Sequence, residues 1–313
     1  PTLHSDLPKI VAAARLLFPA VQLNTNGLRL ASDPNLAREL RDSGLSWVFL
    51  QFDSLNDASL VKLRGAPLAA QKMAAVDNLE KVQQPTVLVP TVAKGVNDGE
   101  LGALVKYAID KPSVRGIHFQ PMTQAGRNNL SRSDNRLTLP ELLILLNYQT
   151  SGAVDPKSAF PPGCEHERCS FHLRYRRLNG QLILSPGAIR EAKKNTSPPK
   201  TTSDPSNPLE TAASRDRAVD IILRSWSPGG QKTPAKSQTL IPMAPKKLDA
   251  FDEFIEKAAR ESFSLTAMAF QDVWTMDLAR VKGCCVHVFS PPDKFIPFCA
   301  MNLTSSQGKA LYR

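Results

Sequence analysis

The sequence predicts an α/β fold built on a parallel sheet. Along the first 150 residues, short apolar or β-branched runs alternate with amphipathic stretches, which is typical of repeated βα units. With 42% hydrophobic and 22% charged residues over 313 positions, the chain can bury a sizeable core. Four strands are predicted, which is short of a closed barrel: Ala20–Asn24, Trp47–Phe52, Thr86–Val92 and Gly116–Pro121.

Helices are predicted before, between and after these strands from their amphipathic pattern, and start signals mark three of the five. Asp33-Pro34 and Asn97-Asp98 are capping pairs, and Pro140 takes the favourable first-turn position. The predicted helices are Leu7–Leu17, Asn35–Asp42, Leu68–Val82, Gly99–Ile109 and Leu139–Tyr148.

The second half is predicted to be a smaller α+β unit joined to the first by a mobile connection. Residues 185–214 are rich in Pro, Ser, Thr and Lys, as linkers are. We divide the chain at 1–150, 151–184 (a Cys/His loop and strand), 185–217 (the linker) and 218–313. The elements predicted here are a strand at Leu182–Leu184, helices at Ala218–Ser225 and Lys247–Glu261, and a closing hairpin of Cys285–Phe289 with Phe295–Ala300.

Charge and cysteine content narrow the function classes. The net charge of +10 indicates either an anionic partner or solvated linker charge, and aromatic residues, at 6%, are not interleaved with Lys and Arg as in nucleic-acid binders. Five cysteines without a secretory leader favour reduced thiols and a cytoplasmic protein. The sequence has no apolar run approaching a membrane span, and because it starts without Met we expect a fragment of a longer protein.

Polar residues end all four predicted strands. They are Asn24-Thr25-Asn26-Gly27, Gln51-Phe52-Asp53-Ser54, Pro90-Thr91 and Gln120-Pro121. The carboxyl ends of parallel strands meet at one edge, where such sheets bind ligands. Turn chemistry explains any single pair, but the whole set predicts a crevice able to hydrogen-bond a ribose, an adenine and an amino-acid carboxylate.

Pro1-Thr2-Leu3-His4 followed by Leu23-Asn24-Thr25-Asn26-Gly27 resembles the second and third strands of radical S-adenosylmethionine (SAM) barrels. The resemblance implies a partial (β/α)6 barrel that lacks its first strands, plus the smaller C-terminal α+β unit. It also implies an N-terminally truncated chain, inactive alone, because the CxxxCxxC loop that holds the SAM-binding [4Fe-4S] cluster does not occur in the sequence.

The resemblance continues along the chain. Val87–Arg127, with Phe119-Gln120-Pro121-Met122, is similar to tetraether lipid synthases and pterin-methylating radical SAM enzymes. The closing segment from Ala269 to Thr304 resembles the radical SAM (seleno)protein TrsS. These likenesses imply cleavage of SAM to a 5′-deoxyadenosyl radical, a small-molecule or lipid substrate and an electron donor such as a flavodoxin or ferredoxin. Methylation, carbon–carbon coupling and carbon–sulfur chemistry all stay open. The alternative is a non-catalytic metal-binding or nucleic-acid-binding protein with a degenerate barrel.

The same resemblance implies which residues line SAM: Thr25, Asn26, Gln51, Asp53 and Thr91. Arg64 is a candidate for the SAM carboxylate, because a guanidinium meets a carboxylate in a bidentate fork. An ordinary charge flanking a helix is the other interpretation of Arg64.

Two cysteines and two histidines within nine residues indicate a metal site: Cys164, His166, Cys169 and His172. The spacing differs from paired zinc-finger hairpins, and the resemblance favours an auxiliary iron–sulfur cluster over structural zinc. Two buried free cysteines in a loop are the alternative.

Cys284, Cys285 and Cys299 are further candidates for metal binding. On a strand, adjacent cysteines point to opposite faces, so only one of Cys284 and Cys285 would face Cys299 across the hairpin. A redox-active or soft-metal site and simple packing are both open, and His287 on the same face as Cys285 favours ligands.

Overall fold

A computed structural model describes residues 1–125, 136–160, 166, 168–185, 258, 260–305 and 309–310. Short 3₁₀ turns occur at Asp98–Glu100 and Pro156–Ser158. The helices are α1 (Leu7–Leu17), α2 (Leu28–Ser32), α3 (Pro34–Asp42), α4 (Asp57–Arg64), α5 (Ala69–Lys81), α6 (Leu101–Ile109), α7 (Leu139–Gln149), α8 (Leu278–Lys282) and α9 (Phe298–Met301). The strands are β1 (Gln22–Thr25), β2 (Trp47–Gln51), β3 (Thr86–Val89), β4 (Thr91–Val92), β5 (Val114–Pro121), β6 (Ser170–Leu178), β7 (Gln181–Leu184), β8 (Ser262–Met268), β9 (His287–Ser290) and β10 (Lys294–Pro297).

Within the described residues, one eight-stranded sheet organises the molecule. Its order is β1-β2-β3-β5-β8-β6-β7, with the short β4 paired to β5. The pairs from β1 through β5 to β8 are parallel, and β6 and β7 extend the sheet antiparallel. The prediction of an α/β fold with a mainly parallel sheet is therefore confirmed.

The elements predicted in the first half are present with small shifts of their ends. Further elements were missed, among them helices α2, α4 and α8 and strands β6 and β8. Helices α2 and α4 are only five and eight residues long, too short for a clear apolar period. Strand β8 alternates polar residues with buried Phe263, Leu265 and Ala267, so its period of two was a usable signal.

The closing hairpin exists, but its predicted ends need correction. Strand β9 begins at His287, so Cys284 and Cys285 precede the strand and the argument from opposite strand faces does not apply to them. The returning strand stops at Pro297, and Cys299 lies in α9. Proline has no N–H for a strand ladder and fits the start of a helix, which explains why the strand ends there.

Several predictions lie outside the described residues: Cys164, nearly all of the linker, the helix Ala218–Ser225 and most of Lys247–Glu261. The domain boundaries stay predictions, although β8 shows that part of the segment assigned to the C-terminal unit joins the main sheet. In the part of the chain that the structure describes, no helix is both long and apolar enough to cross a membrane.

The core runs without a break from α1 to β8, and Leu50, Leu88 and Phe119 are among its fully buried side chains. Strands β5 and β8 approach very closely at Gly116, where an added Cβ would lie 2.1 Å from the Ser264 carbonyl oxygen. Glycine is therefore required where β5, the last strand of the first half, pairs with β8.

Candidate cofactor site and thiol cluster

The carboxyl end of β2 carries a fully buried carboxylate, that of Asp53. Arg64, at the end of α4, meets it in a bidentate fork: Nε donates to Oδ2 and Nη2 to Oδ1, both at 2.8 Å. The Arg64 side chain is 32% exposed and that of Asp53 is 0% exposed. The Nε–Nη2 edge of the guanidinium is thus held by Asp53, while the side chain as a whole stays partly exposed.

Two neighbouring residues complete the contacts around this carboxylate. The Thr91 backbone N–H donates to Asp53 Oδ1 at 2.9 Å, and Gln51 Nε2 donates to Oδ2 at 3.1 Å. Arg64 Nη2 also donates to Thr91 Oγ1 at 2.9 Å. Asp53 therefore joins the region after β2 to the start of β4 and to the end of α4.

The turn after β1 supplies the remaining residues of this group. Thr25 Oγ1 accepts from the Gly27 N–H at 3.1 Å, and Asn26 Oδ1 accepts from the Leu28 N–H at 3.2 Å. Gly27 has φ +78°, a left-handed conformation that favours glycine. We call Thr25, Asn26, Gln51, Asp53, Arg64 and Thr91 the cofactor cradle.

Two buried residues that the sequence did not reveal support the cradle. Asn97, 0% exposed, donates to the carbonyl oxygens of Asp53 and Thr91 at 2.9 and 2.8 Å and accepts from the Ala93 N–H at 2.8 Å. The sequence pattern predicts only helix capping for Asn97, because the bridging role depends on tertiary contacts.

Lys72 is the second, and its side chain is 1% exposed. Its Nζ donates to the Asn26 carbonyl at 2.6 Å and the Gln51 carbonyl at 2.9 Å. Burial lowers its pKa from 10.5 to about 8; Asp53 opposes this shift and Arg64 adds to it. A signal was present in the sequence, because Lys72 shares the buried face of α5 with Ala69, Val76 and Leu79.

The chemistry of the cradle fits SAM. A partly exposed guanidinium suits a carboxylate, and the amides of Asn26 and Gln51 with the Thr91 hydroxyl offer donors and acceptors for ribose and adenine. Asp53 lies beneath Arg64 and fixes the direction of its fork.

Three thiols from distant segments lie near one another at the carboxyl end of β8. Cys169 precedes β6 and its carbonyl accepts from the Ala269 N–H at 2.8 Å. Cys299 Sγ accepts from the Gln271 N–H at 3.3 Å, and the Cys284 thiol contacts the Val286 carbonyl at 3.4 Å. We call Cys169, Cys284 and Cys299 the thiol cluster.

Electrostatics supports this proximity. Burial raises the pKa of the Cys299 thiol, and Cys284 and Cys169 raise it further, while the Gln271 N–H and Arg280 oppose the shift. Arg280 Nη2 donates to Cys169 Sγ at 3.0 Å. A cation therefore lies beside the thiols, where it would stabilise thiolates.

The other predicted metal ligands are distributed differently. His166 is exposed and accepts from the Arg168 N–H at 3.1 Å, and Cys285 is partly buried. His172 lies inside β6, paired in register with Thr266, which is paired in turn with His118. Burial, then the charge of His172, lowers the pKa of His118 to about 4. The structure thus places His172 in a row of paired residues across the sheet.

A complete metal-ligand set is not present in the part of the chain described. Among those residues, no group of three or more His, Cys, Asp or Glu side chains is arranged to hold a metal ion. The sequence also contains no CxxxCxxC motif. The residues present therefore fit SAM but do not fit a catalytic [4Fe-4S] cluster.

This geometry defines an α/β protein with a hydrogen-bonded group of polar side chains at the carboxyl edge of a parallel sheet. Residues 1–108 match the model of the radical SAM superfamily. A 7,8-dihydro-6-hydroxymethylpterin dimethyltransferase from Methanocaldococcus jannaschii is 27% identical over 346 aligned positions, covering 98% of this chain and 66% of its own length. Over residues 1–108 the chain is therefore similar to the radical SAM superfamily.

Two GTP 3',8-cyclases are similar over shorter stretches. That of Acidothermus cellulolyticus is 30% identical and covers 58% of this chain and 48% of its own length. That of Helicobacter pylori is 33% identical and covers 44% and 41%. The chain therefore spans about two thirds of the length of the first relative and half or less of the other two.

Proposed function

We propose that the chain is the SAM-binding part of a radical SAM enzyme that modifies an unreactive carbon. The observation that carries the proposal is the cofactor cradle, in which Arg64 is anchored by Asp53 beside Gln51 and Thr91. The superfamily match over residues 1–108 covers all of these residues.

In this proposal each cradle residue binds or orients the cofactor. The open side of Arg64 pairs with the SAM carboxylate, while Asn26, Gln51 and Thr91 hydrogen-bond the ribose and adenine. SAM, when bound to a reduced [4Fe-4S] cluster, supplies a 5′-deoxyadenosyl radical. The ligands of that cluster would come from residues other than these 313, because the CxxxCxxC motif is absent from the sequence. The 313 residues alone would then be inactive.

The substrate is proposed from the relatives. One relative is a dimethyltransferase of 7,8-dihydro-6-hydroxymethylpterin and another is a GTP 3',8-cyclase. We propose a small molecule as substrate, with methylation or ring formation as the leading reactions, and a flavodoxin-type or ferredoxin-type electron donor. A lipid substrate, implied by the likeness to tetraether lipid synthases, is the alternative outcome of a substrate screen.

The test is SAM cleavage by the protein expressed from its complete gene. After anaerobic reconstitution with iron and sulfide and reduction with dithionite, it should form 5′-deoxyadenosine. Asp53→Ala should lower the rate at least about a hundredfold because the Arg64 fork loses its anchor. Asp110→Ala, an exposed change at the end of α6, should not alter the rate.

A protein that carries a loaded cluster and forms no 5′-deoxyadenosine would overturn the proposal. Binding of a duplex oligonucleotide with a steep salt dependence would then support the nucleic-acid alternative.

We further propose that the thiol cluster holds a soft metal or an auxiliary iron–sulfur cluster. Support comes from the meeting of Cys169, Cys284 and Cys299 beside Arg280, a cation that would offset thiolate charge. Cys164 and Cys285 are the thiols nearest in sequence and are proposed to complete the set, with His166 and His172 as the weaker candidates.

The metal proposal has its own readout. A Cys169→Ala/Cys299→Ala double variant should lose most of the iron or zinc bound by the 313-residue chain, measured by elemental analysis. His166→Ala, which changes an exposed imidazole, should keep at least half of the metal. A double variant with full metal content would show that these thiols only pack.

A further inference from the structure

Lys72 is costly where it lies. Its ammonium group is buried, and it stands in the first turn of α5, near the positive end of the helix dipole. Leucine or methionine at this position would fill the same face of the helix without that cost. Packing alone therefore does not explain why a lysine occupies this position.

The contacts of the ammonium group supply one. Its three N–H donors meet three acceptors: the Asn26 carbonyl at 2.6 Å, the Gln51 carbonyl at 2.9 Å and Gln51 Oε1 at 3.5 Å. Asn26 follows β1 and Gln51 ends β2, and these strands are parallel neighbours. One group thus joins the two strand ends that carry two of the cradle side chains.

We propose that Lys72 is a positioning residue for the cofactor cradle, which holds the carboxyl ends of β1 and β2 at the spacing that binding of the SAM nucleoside requires. This inference rests on the proposed SAM site. Lys72 acts through Asn26 and Gln51.

The protonation of Lys72 makes the inference testable. A neutral amine has two donors for three acceptors and turns its lone pair toward an oxygen, so the strand ends are held less tightly. The pKa of about 8 places this change near pH 8. The charged groups acting on Lys72 are Asp53 and Arg64, while Arg29 of neighbouring α2 donates to Asp33 and to the Thr2 carbonyl.

Stability and cofactor affinity should then respond to pH in opposite directions. Because the folded-state pKa lies below 10.5, the cost of burying the charge is full below pH 8 and is relieved as the pH rises toward 10.5. Folding stability contributed by Lys72 therefore increases over this range. Affinity for SAM decreases over the same range because the ammonium contacts are lost. If Lys72 had only a structural role, SAM affinity would not decrease while folding stability increases.

The experiment measures SAM affinity by calorimetry at pH 7, 8 and 9, using the protein expressed from its complete gene. At pH 7, wild type should bind about tenfold more tightly than Lys72→Met, and this ratio should approach one at pH 9, because a shift of one pH unit past the pKa changes the ammonium fraction about tenfold. The variant also serves as the baseline for titration of the SAM amino group. Lys62→Met, an exposed change on α4, should follow wild type.

A second measurement covers the case in which Lys72→Met does not fold. Amide hydrogen exchange of the wild type, corrected for intrinsic rates, should show loss of protection at residues 26–28 and 51–53 between pH 7 and pH 9, with β3 unchanged. Equal protection at both pH values, or wild-type SAM affinity in Lys72→Met, would overturn the inference. Absence of SAM binding at every pH would refute the proposed function, and the exchange data would still decide whether Lys72 holds the strands.

Discussion

The cofactor cradle and the thiol cluster lie at the same edge of one sheet but are built in different ways. In the cradle, the polar side chains satisfy one another around Asp53, with buried Asn97 and Lys72 beneath. In the thiol cluster, Cys169, Cys284 and Cys299 come from three separate segments and share contacts mainly with backbone groups and Arg280. The cradle side chains are thus hydrogen-bonded to one another, whereas among the described residues each thiol is hydrogen-bonded to a different protein group.

The largest change in stability is expected from a substitution where β5 pairs with β8, between the cradle and the thiol cluster. Gly116→Ala would place a methyl group 2.1 Å from the Ser264 carbonyl and force β8 away from β5. We expect a loss of about 3 kcal/mol in the free energy of unfolding, measured by urea denaturation. The control is Gly99→Ala, because nothing lies within 4 Å of a Cβ there. A Gly116→Ala protein as stable as wild type would mean that the two halves of the sheet are loosely joined.

Asn97→Ala tests the buried hydrogen bonds that support the cradle. The substitution leaves the Asp53 and Thr91 carbonyls and the Ala93 N–H without their buried partner, which should cost about 2 kcal/mol in urea denaturation. Asn35→Ala, which alters an exposed side chain, should change stability by less than about 0.5 kcal/mol. A loss below that limit for Asn97→Ala would show that water replaces these contacts.

Asp272 tests the loop that leads from β8 to the thiol cluster. Burial raises the pKa of its carboxyl, but hydrogen bonds from Arg136, the Gln124 N–H and Thr275, with the Arg136 charge, lower it below 3.8 overall. The stabilisation is therefore present above pH 3.8 and is lost as the pH falls through the folded-state value.

Asp272→Asn should cost about 1.5 kcal/mol at pH 7. The difference from wild type should shrink below about pH 4, in urea denaturation followed over pH 3 to 7. If the difference in the free energy of unfolding stays constant over that range, protonation of Asp272 does not contribute to the loss of stability in acid.

Cys299→Ala should have the smallest effect. The thiol accepts one hydrogen bond at 3.3 Å, so its loss without bound metal should cost less than about 1 kcal/mol. With metal bound, the cost should be larger, because the ligand then joins the segments. Equal losses with and without metal would contradict the role proposed for this thiol.

The cradle was predictable because the rules for parallel sheets place strand ends together. The polar residues after β1, β2 and β3 follow from the order of strands along the chain, and the structure brings Gln51, Asp53 and Thr91 into contact as expected. Lys72 and Asn97 were missed because their roles depend on tertiary contacts across more than one element.

The thiol cluster was only partly predictable. Local spacing grouped His172 with Cys169, but the strand period carries His172 into the sheet. Cys299 approaches Cys169 because β8 lies between β5 and β6 in the sheet. The residues of β8 are far from those of β5 and β6 in the sequence, so no local pattern predicts this pairing. Sequence patterns were sufficient where one supersecondary rule applied and insufficient where distant segments meet.

The most direct test of the central claim is a hydrogen-exchange footprint of SAM on the protein expressed from its complete gene. We predict increased protection at residues 25–28, 51–54 and 91, the backbone segments of the cofactor cradle, when SAM is added under anaerobic conditions. Protection confined to the segments around Cys169, Cys284 and Cys299, with the cradle unchanged, would contradict the account.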